Sequence, residues 1–124
     1  MDAAHGVVAS AFEIVDIAEV EALPDGGTAV FTDGERAYAH DKSDPERRLA
    51  ARLAAKKAAL SLLGPALPLR DFEIVRGRGG PPALRLSARA KEALAARGAT
   101  GVLVSLTHGR LQAAAAVLLV RGPA

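Results

Sequence analysis

The sequence predicts an α+β domain, with a mostly antiparallel sheet packed on one long helix and two or three short ones. Three observations predict it. Apolar, β-branched segments and helical segments follow one another in the order β-α-α-α-β-β-α-β-β, so strands come in adjacent pairs instead of alternating with helices. Leu49, Leu53, Leu60 and Leu63 recur at helical spacing between a capping signal and Gly64-Pro65. Two pairs of alternating segments in the second half flank glycine-containing turns.

Each element has a local reason. Val7 to Ile17 is β-branched and apolar, a strand. Ala18 to Leu23 reads as a short helix stopped by Pro24-Asp25-Gly26-Gly27. Thr32-Asp33-Gly34-Glu35 is a capping box that opens a helix through about His40. A second box, Ser43-Asp44-Pro45-Glu46, has its proline near the first turn and starts the long helix, which Gly64 and Pro65 end. Phe72 to Val75 and Ala83 to Leu86 alternate around a long glycine-rich loop, a hairpin. Ser87 caps a helix running to Arg97, with Gly98 just beyond. Val102 to Thr107 and Leu111 to Val120 form two strands around His108-Gly109-Arg110.

Composition bounds the function. A chain of 124 residues makes one domain, here spanning 1–124. Half of it is hydrophobic, but much of that is alanine and only 3% is aromatic, so the core is thin and self-association is expected. The absence of cysteine excludes disulfides, zinc thiolates and thiol nucleophiles. No apolar run reaches the roughly 18 residues that span a membrane, and no signal-peptide pattern opens the chain, so a cytoplasmic protein without a membrane partner is expected. A formal charge of +2 does not argue for a nucleic-acid partner.

Four clusters are candidate sites. Lys56 falls at the centre of the leucine arc, where an ammonium must snorkel out or meet a buried anion. Around it lie Arg47, Arg48, Arg52 and Lys57, and the i, i+4 pairs Arg48–Arg52 and Arg52–Lys56 stack like charges into a ridge that an anionic ligand such as phosphate would relieve. Alternatively, it is a solvated basic face. In Val104-Ser105-Leu106-Thr107-His108, strand alternation puts Ser105 and Thr107 on one face and Leu106 and His108 on the other. Ser105 and His108 therefore make no nucleophile–base dyad, and His108 is either a ligand contact or a turn histidine. Gly77-Arg78-Gly79-Gly80-Pro81-Pro82 lacks the spacing of a phosphate loop and reads best as a plain hairpin loop. Asp16, Glu19 and Glu21 follow the first strand, and Asp16 is either a metal ligand or a helix cap.

These residues together resemble the holo-[acyl carrier protein] synthases, the small trimeric 4'-phosphopantetheinyl transferases. Val15-Asp16-Ile17-Ala18-Glu19-Val20-Glu21 is similar to their opening signature, roughly G-(I/V)-D-(I/L)-x-E-(I/V). Phe31-Thr32-Asp33-Gly34-Glu35-Arg36 is similar to their F-T-x-x-E block, and Arg52-Leu53-Ala54-Ala55-Lys56-Lys57-Ala58 to their R-(F/W)-A-(A/V)-K-E-A helix. Gly80-Pro81-Pro82-Ala83-Leu84 and Val104-Ser105-Leu106-Thr107-His108 complete five blocks in family order over nearly the whole chain. The resemblance implies transfer of 4'-phosphopantetheine from coenzyme A to a serine of an acyl carrier protein, in fatty acid or polyketide biosynthesis, by a homotrimer with magnesium. It implies Asp16 as metal ligand and catalytic residue, and Lys56 as phosphate contact and proton-transfer residue. It implies Arg52, Lys56, Lys57, Gly80, Pro82 and His108 as coenzyme A contacts.

The chain departs from the family at three points. Lys57 stands where a metal-binding glutamate belongs, Ala22 where an arginine grips the carrier protein, and Ile14 where the signature has glycine. An ammonium accepts no coordination and repels a nearby cation. The readings are therefore an active transferase, a catalytically silent member that keeps the fold and coenzyme A binding as a partner or regulator, or an unrelated basic ligand-binding module.

Overall fold

The computed structural model describes residues 6–77 and 79–122. Arg78 of the glycine-rich loop lies outside the described residues. The predicted order holds: β1 (Gly6–Asp16), α1 (Ile17–Glu21), a 3-10 turn (Pro24–Gly27), α2 (Asp33–His40) and α3 (Pro45–Leu63) come first. A second 3-10 turn (Leu69–Asp71), β2 (Phe72–Arg76), β3 (Pro82–Leu86), α4 (Ala88–Ala96), β4 (Gly101–His108) and β5 (Gln112–Arg121) follow. The strands form two antiparallel sheets, one of three strands in the order β1-β5-β4 and one made by the β2–β3 hairpin.

α3 lies across β5 and β1 and also meets β4, α1 and α2. The leucine stripe understates how it is buried. Ala50, Ala51, Leu53, Ala54, Ala55, Ala58, Ala59 and Leu63 are buried around most of its circumference, and Leu49 and Leu60 only partly so. Alanines facing Ala113 and Ala115 of β5 let the helix sit close to the sheet, which large side chains would prevent. The few large residues fill the remainder, with Phe31, Phe72, Val15, Val117 and Leu119 fully buried.

Three local expectations change. Asp44, not Ser43, is the N-cap of α3, with Pro45 in the first turn and no side-chain cap bond. Ile17 belongs to α1 instead of to the strand. The Pro24–Gly27 segment is a one-turn helix with left-handed residues at Asp25 (φ 54°), Gly26 (φ 65°) and Gly27 (φ 80°). Gly27 is needed for a second reason, because a Cβ there would lie 2.7 Å from the Phe31 ring.

The far face of the three-stranded sheet is uncovered in one chain. In register, Phe12–Ala116–Ser105, Ile14–Ala114–Thr107 and Ser10–Leu118–Leu103 run across it. Phe12, Ile14 and Leu103 are more than half exposed. Ser105 and Thr107 point to this side and Leu106 and His108 to the other, as strand alternation requires.

Candidate functional site

The site begins where β1 becomes α1. Asp16 keeps extended backbone (φ −72°, ψ 138°) and is the N-cap of α1. Glu19, three residues on, reaches back so that its Oε1 accepts from the Asp16 amide at 3.4 Å. The Oε2 of the same carboxylate accepts from Lys57 Nζ at 2.8 Å. That ammonium bond holds the Glu19 carboxyl below its ordinary pKa. Asp16 is the register partner of Gln112 on β5, and its Oδ1 accepts from Gln112 Nε2 at 2.9 Å. The Ile17 amide donates to Leu111 O at 2.9 Å, tying α1 to the β4–β5 turn. A groove of about 610 Å³ opens here, with Asp16, Glu21, Arg110 and Gln112 in its walls.

Lys56, one residue away on α3, turns inward and is fully buried. Its Nζ donates to Glu35 Oε1 at 2.5 Å and to Phe72 O at 2.7 Å. Glu35, also fully buried, accepts in addition from the Thr32 amide at 3.0 Å and the Ile74 amide at 2.8 Å. Burial pushes the Lys56 ammonium below its ordinary pKa, and Glu35 opposes that push. Of the two arrangements open to an ammonium on the leucine arc, Lys56 takes the buried anion, and that anion is Glu35. The fully enclosed Nζ, bonded to a carboxylate and a carbonyl, braces α3 against α2 and β2, so the residue expected as phosphate contact and proton-transfer group lies inside the core of this chain.

The basic ridge is likewise largely answered from within the protein. Arg52 is buried with its guanidinium over the Tyr38 ring, 4.2 Å from the centroid, and its Nη1 donates to Arg48 O at 3.2 Å. Its Nε has no partner among the described residues, and burial lowers its pKa. Arg48 pairs with Asp44 at 3.1 Å and, with His108 adding to it, holds Asp44 below the carboxylate range. The like charges stacked along α3 are thus relieved by Glu35, Asp44 and Glu19. Arg52, expected as a coenzyme A contact, thus lies buried and stacked on Tyr38, behind the surface of this chain.

The remaining predicted residues are spread over other elements. His108 ends β4, opposite Ala113. Gly80 sits in the hairpin turn, its amide donating to Gly77 O at 3.2 Å, and Pro82 opens β3 opposite Arg76. The groupings missed by sequence reasoning are Glu19 with Lys57, Asp16 with Gln112, and Arg52 with Tyr38. The first two join residues 38 and 96 positions apart, for which no local sequence signal exists.

The magnesium implied by the resemblance does not fit these residues. Among the described residues no three His, Asp or Glu side chains gather to hold an ion. Both oxygens of Glu19 are engaged, and Lys57, with donors only, stands against it. An ammonium about 4 Å from a cation opposes it by about 4 kcal/mol per unit of charge at an effective dielectric near 20, less where solvent screens the pair.

No protein-family model matches the chain. Whole sequences and structures do. A holo-[acyl-carrier-protein] synthase of Myxococcus xanthus (strain DK1622) is 38% identical over 122 residues, 92% of this chain and 95% of its own length. The Mycobacterium tuberculosis acyl carrier protein synthase has the same fold at a TM-score of 0.72 and 32% identity, over 95% of this chain and 100% of that one. The ACPS–CoA complex from Chronobacterium ammoniagenes matches with a TM-score of 0.73 and 25% identity, over 93% and 98% of the two chains. Identity sustained along nearly the full length of both proteins, on the α3-centred fold described above, makes this chain a member of the holo-[acyl-carrier-protein] synthase family.

Proposed function

We propose that this chain transfers 4'-phosphopantetheine from coenzyme A to a serine hydroxyl of an apo acyl carrier protein. The observation that carries the reading is the near-full-length identity to a holo-[acyl-carrier-protein] synthase, on a fold shared with a coenzyme A complex. In the reaction, the serine Oγ–phosphorus bond forms at the β-phosphate and the bond to the departing adenosine 3',5'-bisphosphate oxygen breaks. The hydroxyl proton is released. Catalysis of this kind is mostly positioning and charge stabilisation, so the protein needs a fixed cationic surface more than a nucleophile.

The residues divide by where they stand. Lys57 and His108 keep exposed surface and meet the phosphates and the cofactor, while Gly80 and Pro82 present the hairpin from the second sheet. Arg52 and Lys56 hold α3 in place from behind. Asp16, held by Gln112, aims the β1–α1 corner at the groove.

The working form is a homotrimer. The uncovered apolar face bearing Phe12, Ile14, Leu103 and Leu118 needs a second copy to shield it, and a core this poor in aromatics gains from that burial. No observation on this chain favours the catalytically silent alternative. The test is incubation with an apo acyl carrier protein and coenzyme A, followed by mass spectrometry. The expected result is a mass gain of one phosphopantetheinyl group on the carrier. Unmodified carrier throughout, with several carrier proteins tried, overturns the reading.

A further inference from the structure

Lys56 and Lys57 are adjacent on α3, and one helical step of about 100° turns the first inward and the second outward. The outward ammonium is part-exposed and bonded to Glu19, whose second oxygen is held by the Asp16 amide. An ammonium has three N–H donors, and Glu19 takes one, leaving the others for acceptors that enter from solvent. Its charge is also the right one. A carboxylate that has bound a divalent cation carries a net charge of one positive unit, and a lysine carries the same charge with no ion. The corner therefore reaches, with Lys57 alone, the electrostatic state that a glutamate at this position would reach only when loaded with metal.

We infer that Lys57 is the resident cation of this site: braced by Glu19, it excludes a divalent ion and itself engages the diphosphate of coenzyme A, which binds without metal. The inference rests on the transferase reading for the identity of its ligand. The variants are expected to fold, because Lys57 and Glu19 are both part-exposed and neither fills the core.

The test is calorimetry of coenzyme A binding to the full chain, in magnesium and in a chelating buffer, for the native protein, Lys57→Gln and Lys57→Glu. The native affinity is expected to be the same in both buffers. Lys57→Gln is expected to weaken binding about tenfold or more in both, the effect of losing one charge-assisted bond. Lys57→Glu is expected to bind poorly in chelator and to recover in magnesium. Magnesium titrated alone should give binding heat with Lys57→Glu and none with the native chain. Native binding that collapses in chelator, or a Lys57→Gln variant as tight as the native chain, overturns the inference. The transferase reading fails separately. Metal-independent, Lys57-dependent binding without transfer to any carrier leaves the cation in place and removes the enzyme, whereas transfer strictly dependent on magnesium keeps the enzyme and removes the cation.

Discussion

At the scale of single residues, the Lys56–Glu35 pair carries the largest expected effect. Both side chains are fully buried, and Glu35 accepts from Lys56, Thr32 and Ile74. Glu35→Ala leaves a buried ammonium unpaired, so urea denaturation should show a loss of about 3–5 kcal/mol. The double variant Glu35→Leu/Lys56→Met should recover much of it, because no charge then remains to be solvated. A double variant no more stable than Glu35→Ala would contradict this account. Glu19 provides a pH test. Lys57 lowers its folded pKa below the ordinary 4.5. The pair's contribution is therefore present above about that value and lost as pH falls through the depressed one. Carboxyl-carbon NMR should place the Glu19 midpoint below 4.5 in the native chain and return it toward 4.5 in Lys57→Gln. An unmoved midpoint would show that the ion pair does not persist in solution.

At the scale of elements, helix starts are the most legible features and also the most interconnected. Thr32 caps α2 as its box demands, its Oγ1 accepting from the Glu35 amide at 3.2 Å, but it also donates to Glu73 Oε2 at 2.5 Å, tying the cap to β2. Ser87 caps α4 through the Ala90 amide at 3.2 Å and donates to Asp71 Oδ2 at 2.8 Å. Asp71 in turn accepts from Arg89, including Nη2 at 3.0 Å. Ser87→Ala should therefore cost about 1–2 kcal/mol in thermal or urea unfolding, at the upper end for a cap. Arg89, followed by the Ser87 bond, holds the Asp71 carboxyl below its ordinary 3.8. Its contribution is complete above that value and fades as pH falls through the lowered one. Asp71→Asn should flatten this part of the acid limb of the stability curve, and an unchanged limb would refute the assignment. The Ser43-Asp44 box shows the limit of such motifs. The cap falls one position after Ser43, on Asp44 directly before Pro45, and without a side-chain cap bond.

At the scale of the whole molecule, an alanine-rich helix on an alanine-rich strand leaves a thin core and an apolar outer sheet face. Phe12→Asp, on the open face in register with Ala116 and Ser105, should lower the mass seen by light scattering from a trimer toward a monomer. It should do so without loss of the folded far-ultraviolet circular dichroism, since Phe12 is not part of the single-chain core. A native chain that is already monomeric would remove the trimer from the proposed function.

The sequence by itself determined the element order, the antiparallel pairing, the caps of α2 and α4, and the family, because each rests on neighbours within a few positions or on blocks in fixed order. It also narrowed Lys56 to two arrangements, snorkelling out of the leucine arc or meeting a buried anion. Only the tertiary structure decided for the anion, and which one, and that it makes Lys56 a brace. It alone decided that α3 is enclosed on most sides, which short alanines conceal from a leucine count. It alone set Lys57 against Glu19 and Asp16 against Gln112. Those contacts join chain segments that no local periodicity relates, and they exist because α1, α3 and β5 converge on one end of the sheet.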